Sequence, residues 1–322
     1  MGLLAREAAR LLAEVASLHP GQAGASQQGA PKVSELCGLW GGMGSVYLLN
    51  SAVVLKRVNF PRTSSLGDVR KIESYRAEVA FYERHASRLL SPPHSLGLPR
   101  PLLTKMTPGG VDICMTALRG QSAHGSISRD QSFAALDWLA GLHAAYWGIL
   151  PTELDGLQPQ GSYWYLDTRP EELEAMPRSG WEARLRLAAV GIDARLKADE
   201  MQTVVHGDAK DANMLFSTEG GGAAEGETED VLLARYHATL SSALLKSGKT
   251  PPKLGALRES LWVAYADLAR FMSGWGWWAR NGLSQKARRL LDELDGGKEL
   301  SSAEEYTSAL FRRLPPDYSA GN

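Results

Sequence analysis

The sequence predicts an α+β protein with a small, β-rich N-terminal lobe and a larger, mainly helical C-terminal lobe. Short β-branched and apolar runs separated by Gly and Pro turns fill residues 33–118, which is typical of an antiparallel sheet. Beyond residue 119 the apolar positions recur at helical spacing over long segments. A chain of 322 residues is long enough to form two lobes with separate cores. We therefore assign residues 1–31 to an N-terminal helix and linker, 32–118 to the N-lobe and 119–322 to the C-lobe.

Composition excludes several classes of partner. The chain is 44% hydrophobic and 22% charged, with a formal net charge of -1, so it has no basic field for nucleic acid or an acidic membrane surface. No apolar run approaches the roughly 20 residues that cross a bilayer. Cys37 and Cys114 each lie in an apolar run, and we expect two buried, reduced thiols in a cytoplasmic protein. The oligomeric state is left open by the sequence.

The N-terminal segment has the pattern of an amphipathic helix. Leucine and valine recur at helical spacing through residues 3–18, and Glu7 and Glu14 lie on the remaining surface. A Gly, Ser and Gln-rich linker follows over residues 21–29. We expect the helix to dock on the folded protein through its apolar stripe.

A glycine-rich turn comes first within the N-lobe. Residues 39–49 read as a strand, a turn and a second strand, and the turn contains Gly41, Gly42, Gly44 and Ser45. Glycine allows backbone N–H groups to approach an anion closely, so these residues are candidate phosphate contacts. The spacing is not a full GxGxxG, and a plain hairpin turn explains the same residues.

A lysine and a glutamate follow at positions that suit phosphate binding. Lys56 lies near the end of the β-branched run 52–58, which we predict to be the third strand. Glu78 lies in a predicted helix over residues 73–84. In phosphoryl-transfer enzymes a strand lysine binds the nucleotide phosphates when a helix glutamate holds it in place. The alternative is that both are solvated surface charges.

The stretch 204–216 places a polar loop between two short apolar runs. Asp208 and Asn213 lie five positions apart in this loop, a spacing that suits an Asp that meets a substrate hydroxyl and an Asn that holds magnesium. We predict that strands over Thr203–Val205 and Met214–Phe216 fix the loop on both sides.

Several motifs together resemble one family. His206-Gly207-Asp208 followed by Asn213, the helix phrase Glu78 to Tyr82 and the segment Leu139 to Trp147 resemble the aminoglycoside phosphotransferase and choline kinase superfamily, especially its ecdysteroid-kinase-like (CHK kinase-like) branch. The resemblance covers most of residues 33–314. It implies a protein-kinase-like two-lobe fold that uses ATP and Mg²⁺ and has a small-molecule alcohol as its substrate.

The resemblance also implies roles for single residues. Asp208 would orient and deprotonate the acceptor hydroxyl, Lys210 would touch the transferred phosphate, and Asn213 would hold one magnesium ion. An exposed lysine beside an aspartate accounts for Lys210 as well. The family's hinge, whose backbone meets the adenine, would correspond to residues 115–118, which gives Met115 and Ala117 as further nucleotide contacts.

The C-lobe shows a series of helical stripes. The first predicted helix begins at Asp130, a candidate N-cap, and ends before Gly148, a candidate helix terminator. It contains His143, which we interpret as a hydrogen-bonded core histidine rather than a catalytic base. Further helices are predicted around residues 181–196, 261–278 and 304–314. The aromatic run 163–167 either lines a substrate cleft or contributes to packing.

One part of the expected site is missing from the sequence. The resemblance implies a strand-borne aspartate after the loop, which would bridge magnesium to the phosphates. Instead, a Gly and Glu-rich segment follows Phe216, and a helical pattern begins at Glu229. We infer a deletion between about Gly226 and Asp230, either from a missing exon or from real loss of the ligand. Asp230 could replace it only if the chain bends back towards Asn213, and we expect Asp211 to point outward.

The sequence therefore predicts an ATP-dependent phosphotransferase that acts on a hydroxyl group of a small molecule and is impaired by the missing aspartate. The alternative is a catalytically inactive kinase-like module that binds a nucleotide or a partner. A purely structural helical protein would leave Lys56, Glu78, Asp208 and Asn213 as coincidences. The identity of the acceptor is not encoded in any of these motifs.

Overall fold

The computed structural model describes residues 5–22, 29–62, 65–122, 127–217, 228–277 and 282–317. The chain forms two compact units. The first consists of Met1–Gly125, Pro151–Gln158 and Asp211–Glu219, and the second contains the rest of the chain.

The first unit is built on a five-stranded antiparallel sheet with the strand order β1-β2-β3-β5-β4. The strands are β1 (Val33–Gly38), β2 (Gly44–Leu49), β3 (Val53–Asn59), β4 (Pro101–Thr107) and β5 (Gly110–Thr116). The predicted glycine turn joins β1 to β2, and a hairpin turn at Pro108-Gly109 joins β4 to β5. The lysine-bearing strand β3 therefore lies in the middle of the sheet, where neighbours on both sides fix it.

A helix covers each face of this sheet. The amphipathic helix α1 (Ala5–Leu18) packs on one face with Ala8, Leu11, Leu12 and Val15, as the sequence predicts. Helix α2 (Leu66–Ala80) packs on the other face, where Val79 meets Val58, Ile113 and Met115. Because side chains alternate along a strand, Leu55 faces α1 while Lys56 shares the α2 face with Val58.

The C-terminal end of α2 is held by a returning segment of the chain. The helix continues through a π-helical turn (Phe81–His85) into the short helix α3 (Ala86–Leu90). His85 Nε2 lies 3.1 Å from the carbonyl oxygen of Leu154, and Arg84 donates to the Asp155 carboxylate at 2.8 Å. These contacts fix the orientation of the helix that carries Glu78.

The described part of the second unit is helical. Its helices are α4 (Arg129–Ala145), α5 (Pro170–Ala175), α6 (Gly180–Ala198), α7 (Glu229–Lys246), α8 (Leu254–Trp275), α9 (Leu283–Asp295) and α10 (Ala303–Arg313). Its main core is formed by apolar side chains of α6, α8, α9 and α10. The aromatic run contributes to this packing, because Trp164 stacks on Phe271 with 6.3 Å between the ring centroids.

The start of α4 differs from the prediction. Its N-cap is Ser128, whose hydroxyl accepts from the backbone N–H of Gln131 while the Gln131 side chain accepts from the Ser128 N–H. This capping box satisfies two end groups at once, which a cap at Asp130 would not. The predicted N-cap was therefore wrong by two residues.

The two strands predicted beside the loop are also absent from the described residues. Residues 203–210 have no regular structure, Asp211–Asn213 forms a single 3₁₀ turn, and Phe216 makes one isolated bridge with Gln121. A strand is stable only when a neighbour satisfies its backbone groups. Val205 and Leu215 accordingly remain 45% and 51% exposed.

The cysteines differ from each other. Cys114 is buried in β5, and burial raises the pKa of its thiol to about 12. Cys37 is exposed, contrary to the prediction, because β1 is an edge strand with its outer residues facing solvent. Both thiols are free. Across the described ranges, every helix is too short or too polar to span a bilayer.

Candidate functional site

The first unit contains the predicted lysine and glutamate pair. Lys56 Nζ donates to both carboxylate oxygens of Glu78, at 2.8 and 2.6 Å. The two side chains are 21% and 26% exposed, so the pair is partly shielded from water. The ring of Tyr75 lies beside it, with its centroid 5.2 Å from Lys56 Nζ. Strand β3 and helix α2 therefore hold one ammonium group in a fixed position.

The glycine turn lies at the end of the same sheet. Residues Trp40–Gly42 form a 3₁₀ turn in which Gly41 and Gly42 have positive φ values of 69° and 68°. Gly44 begins β2 with a φ of 142°, and a Cβ there would lie 2.0 Å from the carbonyl oxygen of Arg57. Only glycine allows β2 to approach β3 this closely, so Gly44 closes the hairpin.

Ser45 has a structural partner in the same hairpin. Its hydroxyl donates to Glu35 at 2.8 Å across the β1–β2 pair. This bond links the two strands that carry the glycine turn. The hydroxyl is thus engaged within the sheet.

A second lysine, which the sequence reading missed, lies at the glycine turn. Lys71 of α2 places its Nζ 5.2 Å from the ring centroid of Trp40 and 3.7 Å from the position of a Cβ on Gly41. It also donates to Asp68 at 3.3 Å. The signal in the sequence was its spacing from Tyr75 and Glu78, since residues i, i+4 and i+7 share one helix face.

The predicted hinge is packed against the sheet. The Met115 side chain is buried in the apolar cluster between β5 and α2. The N–H of Ala117 donates to the carbonyl oxygen of Ala52 at 2.8 Å. That N–H therefore already has a partner within the first unit.

The first half of the loop, residues 203–210, belongs to the second unit. The backbone N–H of Asp208 donates to Nδ1 of His206 at 3.2 Å, and Lys210 Nζ lies 3.1 Å from an Asp208 carboxylate oxygen. Both members of this ion pair are largely exposed. The rings of Trp138 and His206 pack in a T-shaped arrangement, with 5.9 Å between their centroids. Asp208 is thus held at its backbone while its carboxylate faces solvent.

Helix α4 fixes the start of the loop. The hydroxyl of Thr203 donates to the carbonyl oxygen of His143 at 2.8 Å, and the N–H of Gly148 donates to Gln202 at 2.8 Å. His143 Nδ1 lies 2.7 Å from the hydroxyl of Tyr236 on α7. Burial lowers the pKa of His143 to about 4, so the ring is neutral at pH 7. These contacts agree with the interpretation of His143 as a core histidine.

The remaining acidic candidates have local partners. Asp211 accepts the N–H of Ala212 at 2.9 Å within the turn that ends at Asn213. Asp230 lies in the first turn of α7, where its carboxylate accepts from Arg258 at 2.7 Å. Asp230 is therefore part of a helix–helix contact.

Within the described part of the chain, metal-binding side chains do not gather into larger clusters. Divalent magnesium is usually held by one or two carboxylates together with phosphate oxygens and water. No group of three or more His, Cys, Asp or Glu side chains lies together there in a way that would hold a metal ion. The segment where the missing aspartate was expected includes residues 218–227, which lie outside the described ranges.

Comparison with solved structures gives three matching chains, one of which is described here. The chain is similar to a solved aminoglycoside-3'-phosphotransferase of type VIII, with 18% sequence identity over 81% of this chain and 93% of that chain and a TM-score of 0.34. No protein-family model matches the chain, and no curated protein matches it significantly.

The fold class follows from the chain's own elements. A five-stranded antiparallel sheet with a helix between β3 and β4 forms the first unit, and helices build the described part of the second. This is the α+β, kinase-like two-lobe fold that the sequence predicts.

Proposed function

We propose that this chain is a kinase-like phosphotransferase that binds ATP and transfers its terminal phosphoryl group to a hydroxyl group of a small molecule. The ion pair between Lys56 and Glu78 carries the proposal. A partly buried ammonium group held by both carboxylate oxygens, on the central strand beside a glycine turn, suits binding of a phosphate chain. The resemblance to the ecdysteroid-kinase-like branch supports the same activity.

Within this proposal the other residues have distinct tasks. The turn containing Gly41 and Gly42 presents backbone to the phosphates. Asp208 receives the proton of the acceptor hydroxyl, because its carboxylate faces solvent while its backbone N–H is fixed by His206. Lys210 neutralises charge on the transferred group and is already paired with Asp208. Met115 and Ala117 are proposed to lie near the adenine.

A second candidate is a nucleotide-binding module without turnover. The finding that favours it is that no three or more His, Cys, Asp or Glu side chains lie together as a metal site in the described ranges. A deletion near residues 226–230 would produce this result by removing the bridging carboxylate. The transcript or genomic sequence across that segment tests whether the missing strand was encoded.

Asp208→Ala separates the two candidates. Purified protein is incubated with ATP, magnesium and a panel of small alcohols, and phosphorylated product is measured by mass spectrometry. A phosphotransferase gives product, and Asp208→Ala lowers the rate at least ~100-fold because it loses the general base. Binding of ATP should change little, since the carboxylate is not assigned to the nucleotide.

The matched control is Asp167→Ala. Asp167 is also an exposed carboxylate of the second unit with a lysine partner, Lys197, at 3.0 Å. It should keep full activity. If ATP raises the melting temperature but no alcohol is phosphorylated, the binding module replaces the enzyme. If ATP neither binds nor reacts, both candidates fail.

A further inference from the structure

We propose that Lys71 is a second phosphate-binding cation, and that Lys71 and Lys56 together bind the phosphate chain of a nucleotide without a divalent metal ion. The inference rests on the proposed function in one respect, because it takes a nucleoside triphosphate as the ligand. It adds a binding residue and a metal-independent mode of binding to that function.

One face of α2 organises both lysines. Lys71, Tyr75 and Glu78 lie at positions i, i+4 and i+7, so successive helix turns place them in a row. Glu78 binds Lys56, the Tyr75 ring lies 5.2 Å from Lys56 Nζ, and Lys71 reaches the glycine turn. The row therefore brings one ammonium group to the middle of the sheet and a second to the turn.

The position of Lys71 suits an anion at the turn. Its Nζ lies 3.7 Å from where a Cβ on Gly41 would be, so the space that a side chain would fill is lined by a cation. Two successive glycines with positive φ leave the turn backbone uncovered by side chains. The Gly42 N–H donates to the carbonyl oxygen of Leu39 at 3.2 Å, so a phosphate group at this place would have the Lys71 ammonium group as its main contact.

Lys71 retains hydrogen-bonding capacity for such a ligand. Its contact with Asp68 is long, at 3.3 Å, and Asp68 also accepts the hydroxyl of Ser65 at 2.6 Å. An ammonium group has three donors, and the Trp40 face that it covers accepts only a weak cation–π contact. A phosphate oxygen would be a stronger partner than either.

In the proposed mode, the two ammonium groups supply charge neutralisation that a metal ion gives in other nucleotide sites. In most nucleotide sites a magnesium ion offsets the charge of the phosphate chain, and carboxylates hold the ion. In the described residues no group of three or more His, Cys, Asp or Glu side chains lies together, whereas two lysines lie along the α2 face. Lysine binds phosphate as a point charge, and both ammonium groups would exchange part of their contacts with Glu78 and Asp68 for phosphate oxygens.

Calorimetric titration of ATP into the full chain tests the proposal. The wild type is measured with magnesium and again with EDTA, and we expect similar dissociation constants in the two conditions. Lys71→Ala should weaken ATP binding about 10- to 100-fold in both, the effect of losing one charge-assisted phosphate contact. Lys71→Ala should weaken AMP binding less than ATP binding, because only the longer phosphate chain reaches both lysines.

Arg76→Ala is the matched control. Arg76 is a half-exposed cation on the same helix, paired with Glu73 rather than with the glycine turn. Arg76→Ala removes the same charge as Lys71→Ala and should leave ATP affinity unchanged. Lys71→Arg keeps the cation and should retain most of the affinity, and melting temperatures without ligand show that each variant is folded.

Three results would overturn the proposal in different ways. ATP binding by Lys71→Ala at wild-type strength would remove Lys71 from the site but leave the proposed function intact. Binding of ATP only in the presence of magnesium would contradict the metal-independent mode. An absence of ATP binding by the wild type in every condition would reject the proposed function itself, and the inference with it.

Discussion

Replacing Glu78 by Gln should weaken nucleotide binding more than it weakens the fold. The change removes the charge that holds Lys56 while keeping the size of the side chain. The lost bonds measure 2.6 and 2.8 Å between side chains that are about three-quarters buried. A charge-assisted bond contributes about 1.5–3 kcal/mol, and partial exposure lowers this, so we expect a loss of ~1–2 kcal/mol in unfolding free energy.

The expected loss of ATP affinity is about 10-fold, since Lys56 is then free to leave its position. Asp112→Asn is the matched control. Asp112 accepts two bonds from Arg57 at 2.8 Å on the opposite face of the same sheet, with side chains 22% and 18% exposed. Urea unfolding should show similar destabilisation of both variants, while calorimetry should show weaker ATP binding only for Glu78→Gln. Equal ATP affinities in the two variants would refute the assignment of Lys56.

Two further predictions concern the framework of each unit. Gly44→Ala should lower the free energy of unfolding by roughly 2–4 kcal/mol, because its Cβ would meet the Arg57 carbonyl oxygen in a strained backbone conformation. Gly67→Ala in α2 is the control, because its Cβ meets open space. In urea unfolding this control should not be destabilised. Stability should also fall as the pH drops from 6.5 towards 4, because the unfolded state protonates His143 while the folded state does not. The stability difference between wild type and His143→Gln should change by roughly 2–3 kcal/mol between pH 7.5 and 4.5, and a constant difference would contradict a neutral His143.

Local sequence patterns predicted the first unit well, because its elements are short and characteristic residues lie at their boundaries. The β-branched run around Lys56, the glycine turn and the Pro-Gly hairpin each specify a strand boundary with their own residues. The pairing of Lys56 with Glu78 follows once β3 and α2 are adjacent. The spacing of Lys71 places it on the helix face of Glu78, but its relation to Gly41 depends on packing between residues 30 positions apart.

The errors came from elements that depend on distant partners. Thr203–Val205 and Met214–Phe216 have strand-like sequences, but no neighbouring strand is described for them. The apolar run around Cys37 suggested burial, yet its position at the sheet edge leaves it exposed. Only the cap of α4 could have been corrected from the sequence, since Ser128 and Gln131 have the spacing of a capping box.

Helix α1, the sheet and α2 depend on one another within the first unit. The sheet is apolar on both faces, so Tyr47, Leu49 and Leu55 depend on α1 for their cover. Glu7 and Glu14 add ionic contacts to Arg57 and Lys105 at the sheet surface. The three layers therefore form one folding unit, in which the N-terminal helix is as much a part of the interior as the strands it covers.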